Sequence, residues 1–245
     1  MDGTLRPPSA AHLLHDLQYR EELKHQIVVA AELSQHLAML RGWQADRLSC
    51  TYADLLADPH YSPACQFFLE DIYAPTDFSQ RDHDLERIYG FLTSVLPRQT
   101  IVLLSETVEL NNVTSALDDR LLRLLVDQLG ATDSLTSQLY AEAYRMCDNY
   151  GERLHQIELI RSVLTQVGEG ARLFVVGAAM KLAKVPAQRA GWVELYDFLV
   201  RGRHAFGQMK DVRIFVNTVA LRETSLLDRI YAGDLEGFER LAGLS

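Results

Sequence analysis

LKHQIVVAAELSQHLAML, residues 23–40, decides the fold class. Leu23, Ile27, Ala30, Leu33, Leu37 and Leu40 recur at steps of three and four, the repeat of one helical face. A first long helix over residues 9–42 follows. Every residue from Ile27 to Ala31 is apolar, more than one full turn. Such a turn belongs where neighbours approach from several sides, so this helix is expected at the centre of a bundle.

The same repeat continues along the chain. Thr51 and Asp54 form an N-cap pair, and Asp58-Pro59 ends the short helix they open. Ser62-Pro63 sets a capping hydroxyl before a proline at the first helical position. The next helix carries Phe67, Phe68, Leu69, Ile72 and Tyr73 and ends near Pro75. Asp77 caps another, with Asp82 and Asp84 at its positive end. Beyond Leu96-Pro97, a helix is expected over 98–129, ended by Gly130, and another over 134–167, with Gly151 inside it. The Gly-Glu-Gly run at 168–170 is expected to be a break. Helices over 171–184, 191–210 and 212–232 follow, and a short one begins after Asp234. No stretch alternates with β-branched enrichment, so no sheet is expected.

Composition sets limits on function. The 245 residues are 48% hydrophobic and 23% charged, with a formal net charge of −9. Acidity of this size disfavours generic nucleic-acid binding. The charge is uneven. Residues 171–222 hold nine basic and three acidic side chains, an excess of +6, so the remainder carries −15. The two parts can attract each other within the fold or across a homodimer, or the basic part can face an anionic ligand or partner. Its densest segment, FLVRGRHAFGQMKDVR at 198–213, places Arg201, Arg203, His204, Lys210 and Arg213 among Phe198, Phe206 and Met209. Arginine forks in such a setting suit carboxylates or phosphates. The plain reading is an amphipathic helix with a basic solvent face.

Cys50, Cys65 and Cys147 form no CxxC pair and lie in apolar surroundings, which predicts buried, inert thiols. The acidic, Pro-containing start lacks the pattern of a secretory signal, and the most apolar window, 173–180, is too short to span a bilayer. A reduced, cytoplasmic, membrane-free protein is expected.

One further stretch, FFLEDIYAPTDFSQRDHDLERI, resembles the signature of an uncharacterised bacterial family of all-helical proteins. The match rests on Phe67, Phe68, Asp71, Tyr73, Pro75, Asp77, Phe78, Arg81 and Asp82. Residues 185–223 are similar to that family's C-terminal part, with a Pro-Ala and later Arg-Gly, Ala-Phe and Arg-Glu elements. The resemblance implies an all-helical fold over most of the chain and no particular activity. The charge run within it is, on its own terms, a capped corner between two helices.

Two Glu-x-x-His motifs suggest chemistry. They are Glu22 with His25, and Glu152 with His155. Residues three apart share a helix face and can reach one metal ion. Ferritin-like di-iron or di-manganese sites use two such motifs plus single Glu residues from two further helices, here Glu70, Glu106, Glu109 or Glu194. With fifteen Glu and eight His, chance alone supplies about 0.5 such motifs. Against the metal, His25 shares its face with Glu21, Glu22, Glu32 and His36, the composition of a solvated face. The isolated helical histidines, His15, His25 and His36, make poor haem ligands without a CxxCH attachment motif. No GxSxG elbow, P-loop or dinucleotide fingerprint is present.

The sequence therefore predicts one all-α, bundle-like domain over residues 1–245, with nine or ten helices and a flexible N-terminus at 1–8. Its expected function is non-enzymatic and cytoplasmic, the binding of a protein partner or a small anionic ligand, with a regulatory role included. The alternative is a di-metal carboxylate oxidase or oxygenase with Glu22, His25, Glu152 and His155 as ligands.

Overall fold

The computed structural model describes residues 31–72, 98–131 and 133–244. They form ten α-helices and, among the described residues, no strand. In chain order these are α1 (Ala31–Thr51), α2 (Ala53–Ala57), α3 (Ser62–Phe67), α4 (Arg98–Arg123), α5 (Ser137–Met146), α6 (Tyr150–Ala171), α7 (Phe174–Ala190), α8 (Val193–Gly207), α9 (Val212–Ala232) and α10 (Leu235–Ala242). Helices α3 and α4 each continue into a π-helical turn, Phe68–Ile72 and Leu124–Gln128.

Packing follows the apolar stripes. Helix α6 lies between α4 and α9 and also touches α7 and α8. Among the described residues it has neighbours on most sides. The all-apolar turn at 27–30 and the expected flexible start at 1–8 lie outside the described residues, and so does the 73–97 corner with its expected Asp77 cap.

The core has two parts. One gathers Tyr61, Phe67, Leu164, Phe206, Phe215 and Val216. The other gathers Leu40, Leu121, Leu125, Tyr140, Ile230 and Phe238. Helix α9 serves both, with Phe215 and Val216 at its N-terminal end and Leu226 and Ile230 further along. Its 21 residues, about 30 Å of helix, span the distance. The Asp211 carboxylate starts it by accepting from the Arg213 and Ile214 amides, and Gly233, at φ 75°, ends it.

Several sequence expectations are corrected. The first helix does not stop at Gly42 but runs to Thr51. Thr51 caps nothing; its hydroxyl lies against the Arg47 and Ala242 carbonyls. Ser62 is helical and makes no cap either, although Pro63 does sit in the first turn of α3. The helix expected over 134–167 is two, α5 and α6, parted at residues 147–149. Asp148 takes a left-handed φ of 49° there. The Asn149 amide donates to the Tyr231 hydroxyl at 3.0 Å, so a residue of α9 holds the break. Gly151 lies in the first turn of α6, outside any helix interior.

The Gly-Glu-Gly run is not a break. Helix α6 passes through it to Ala171. A Cβ on Gly168 would stand 2.5 Å and 2.8 Å from the two Val212 methyl carbons. The missing side chain lets α6 and the start of α9 close together. Helix α7 likewise continues past Pro186 to Ala190, before Gly191 at φ 80°.

Gly168→Ala is therefore expected to destabilise the fold by about 1–3 kcal/mol through overpacking. Gly151→Ala has open space around its Cβ and is expected to be neutral or stabilising by up to about 1 kcal/mol. Urea unfolding of both variants checks the contrast; equal effects would reject the close-approach explanation.

Candidate functional site

The basic segment of the sequence divides in the structure. Arg203 and His204 sit on α8 beside a surface cleft of about 340 Å³. Arg172, at the C-terminal end of α6, and Gln208, just past α8, complete its polar lining. Arg201, Lys210 and Arg213 are exposed but lie outside that lining. Sequence reasoning missed Arg172 because it reaches the cleft from another segment, and Gln208 because, within the basic segment, it carries no charge.

Each cleft side chain is positioned. Arg172 donates through Nη2 to the Met209 carbonyl. Gln208 Nε2 lies 2.7 Å from His204 Nε2 and donates to it when that ring nitrogen carries no proton. The Arg203 guanidinium lies against Gly177 of α7, where a Cβ would stand 2.5 Å from Nη2. Its Nε is buried and has no hydrogen-bond partner.

Other cations are used inside the fold. Arg222 forms a bidentate pair with Asp54, 2.7 Å on each arm, and donates to the Thr51 carbonyl at 2.9 Å. That pairing, with hydrogen bonding as its first cause, holds the Asp54 carboxyl below its usual range. Arg47 donates to Glu223 at 2.6 Å, and the Tyr52 hydroxyl donates to the same oxygen at 2.7 Å. Part of the charge asymmetry is thus spent on holding the C-terminal and N-terminal parts together.

The Glu152–His155 pair is exposed on α6. His155 Nε2 lies 2.9 Å from Glu109 Oε1, and each side chain is 52% exposed. Both Glu152 and His155 border an apolar surface groove of about 330 Å³ with Val113, Ala116 and Leu117 of α4. Glu106 points to other partners, accepting from Ser162 and Gln166 at 2.6 Å each. Glu70 and Glu194 are exposed. Glu22 and His25 lie outside the described residues. Among the described residues no group of three or more His, Cys, Asp or Glu side chains could hold a metal ion.

Between the two motif residues stands a group that sequence reasoning missed. Arg153 is only 3% exposed. Its Nη2 donates to the Leu117 carbonyl at 3.2 Å, and its guanidinium carbon lies 4.3 Å from the Tyr144 ring centre. Asp118, 9% exposed, approaches at 3.9 Å and accepts from Gln44 at 3.1 Å. Burial pushes the Asp118 carboxyl up, against the pull of Arg153 and Gln44. The signal was present: Arg153 stands four residues before Ile157 on the stripe that leads to Leu164.

Two cysteines match expectation. Cys65 and Cys147 are buried, and burial pushes the Cys65 thiol up to about 11. Cys50 is a correction: it is exposed. In the signature stretch, Phe67 is buried against Phe198 and Phe206, with ring centres 5.1 Å and 6.0 Å away, and Phe68 meets Phe206 edge-on. These two residues dock α3 onto α8. Asp71 lies in the π-helical turn that follows. Tyr73, Pro75, Asp77, Arg81 and Asp82 lie outside the described residues.

A family model described as a domain of unknown function, DUF8198, matches residues 24–237. The chain belongs to the DUF8198 family. No curated protein and no solved structure is similar enough to this DUF8198 member to match it. No helix among its described residues is long and apolar enough to cross a membrane.

Arg153→Met removes the cation and leaves Asp118 buried. The expected cost at pH 7 is about 3–5 kcal/mol in urea unfolding. A carboxyl raised in the folded state contributes stability that is present at low pH and lost as pH rises through its folded value. Without Arg153 the Asp118 carboxyl rises further, so the variant's deficit should shrink between pH 7 and pH 5. A deficit unchanged by pH would show that Asp118 is not its source.

Proposed function

We propose that the chain is a non-enzymatic binding protein whose working surface is the α7–α8 hairpin and whose partner is an acidic, amphipathic segment of another protein. One observation carries this reading. The hairpin exposes large apolar side chains beside cations. On α7 Leu182 is 79% exposed and Val185 51%; on α8 Val193, Leu199 and Val200 are exposed as well. Leu182 and Val185, three apart, occupy one face of α7. Lys181, Lys184 and Arg189 are exposed with them, and α7 contains no acidic residue.

Exposed apolar groups of this kind are unfavourable in an isolated surface and are common at association sites. A flanking positive charge selects acidic partners and speeds encounter. An amphipathic helix would meet the hairpin with its apolar side and offer carboxylates to the lysines. The inner side of the hairpin is anchored: Phe206 and Ala205 of α8 belong to the core with Phe67, and the Tyr196 hydroxyl donates to the Met180 carbonyl at 3.2 Å. The outward apolar groups are therefore not a by-product of a detached element. A regulatory role fits a protein that works by association.

A photo-crosslinking residue at Leu182 in the full chain tests this reading in cells. The expected product is a discrete adduct to an acidic amphipathic segment, reduced at least fivefold by Lys184→Glu with Arg189→Glu. An adduct only to a second copy of the chain would replace the partner by a homodimer. Absence of any adduct, with normal folding, would reject the surface.

A further inference from the structure

We propose that the cleft between the C-terminal end of α6 and α8 is a binding site for a small phosphate-bearing anion, distinct from the α7–α8 docking face. Its polar lining is Arg172, Arg203, His204 and Gln208, and among the described residues no carboxylate lines it. Two guanidinium groups, an imidazole and an amide offer donors and two fixed positive charges. Phosphate oxygens match guanidinium forks in geometry and charge. A volume of about 340 Å³ suits a small molecule.

The site is built, because its main cation crosses from α8 and packs against α7. Arg203 leaves α8 and lies against the bare backbone of Gly177 on α7. Any side chain at 177 would collide with the guanidinium, whose Nη2 would be 2.5 Å and Cζ 2.9 Å from a Cβ. Burial of the unpartnered Nε keeps a charged group in a costly position. A bound anion would offset that cost through the neighbouring Nη groups. Arg172 is oriented by its bond to the Met209 carbonyl and retains further N–H donors. His204 and Gln208 are linked to each other, which fixes the imidazole face.

These contacts differ from those of the other arginines. Arg222 and Arg47 point at carboxylates, Asp54 and Glu223. Arg172 and Arg203 converge with His204 on open space. The phosphate could belong to a free metabolite or to a phosphorylated side chain of a partner; the charge recognition is the same, and a cleft of about 340 Å³ suits the free molecule.

The test uses the full chain and inorganic pyrophosphate as the probe, by calorimetry and phosphorus NMR. Saturable one-to-one binding is expected. His204→Glu, at an exposed position, should weaken it at least tenfold. Gly177→Ala should weaken it similarly by displacing Arg203, although it removes no polar group and improves helix propensity. Arg123→Gln, exposed on α4 and outside both the cleft and the hairpin face, should leave it unchanged. A phosphoserine peptide that binds at least tenfold more tightly than pyrophosphate, through the same residues, would assign the phosphate to a partner and overturn the free-molecule source. No saturable binding, or equal weakening by Arg123→Gln and Gly177→Ala, would overturn the site.

Discussion

The buried guanidinium of Arg153 constrains this fold more than any other group described. Four helices must meet to accommodate it. Helix α6 carries it, α4 supplies the Leu117 carbonyl and Asp118, α5 supplies the Tyr144 ring, and α1 supplies Gln44 to Asp118. At 3.9 Å the ion pair is worth about 4 kcal/mol at the effective dielectric of a protein site. Desolvating the two ions costs several kcal/mol each. The pair does not, on balance, drive folding. It penalises arrangements in which one partner is buried without the other, and so favours one register of α1, α4, α5 and α6. Nε of Arg153 and Oε1 of Gln44 are buried without partners, which adds to the penalty for any looser alternative.

A second polar layer ties the two apolar cores together. Arg47, Tyr52 and Glu223 meet where α9 passes from the Phe215 region to the Leu226 region. Burial first, then the nearby Glu223 carboxylate, pushes the Tyr52 hydroxyl up, so it stays protonated and donates. Arg222, one residue before Glu223, reaches back to Asp54 and Thr51. Adjacent positions of α9 thus grip the α1–α2 junction with opposite charges. Of the two, the Arg222–Asp54 pair joins the basic segment to the acidic remainder, while Arg47–Glu223 runs the opposite way.

The helical class was legible because the 3.6-residue repeat is a local property. The ends of α4 near Gly130, of α2 at Asp58-Pro59 and of α9 at Gly233 were legible for the same reason: each is written in residues beside it. Two of the failures are long-range. Nothing in YRMCDNYGE announces a break at Asp148, because Tyr231 holds it from α9. The Gly-Glu-Gly run reads as a break locally, but Val212 uses Gly168 as a packing surface. Candidate site residues divide in the same way. Arg203 and His204 could be picked out from a basic segment. Arg172 and Gly177 could not, since only the packing of α6, α7 and α8 brings them to one place. Arg153 was readable as a charge on an apolar stripe, but the neighbouring Glu152 and His155 drew attention to the exposed side of the same helix.

The two candidate surfaces share one mechanical feature. Helix α8 is held on its inner side by Phe67 and Phe68, the aromatic pair of the signature stretch, through Phe198 and Phe206. Gly202 permits that approach; a Cβ there would lie 3.0 Å from the Phe67 ring. The adjacent residue, Arg203, crosses to α7 and Gly177. The aromatic pair on α3 therefore sets the position of α8, and α8 sets the position of both the cleft and the hairpin face. Substitutions at Phe67 or Phe68 would be felt at Arg203 before they were felt in the Leu121–Leu125 core, because the path between them runs through a single helix. An anion held by Arg203 and Arg172 would bridge α8 to the end of α6 and stiffen the base of the hairpin. Its occupancy would then reach the exposed α7–α8 face through α8 itself, with no rearrangement elsewhere in the fold.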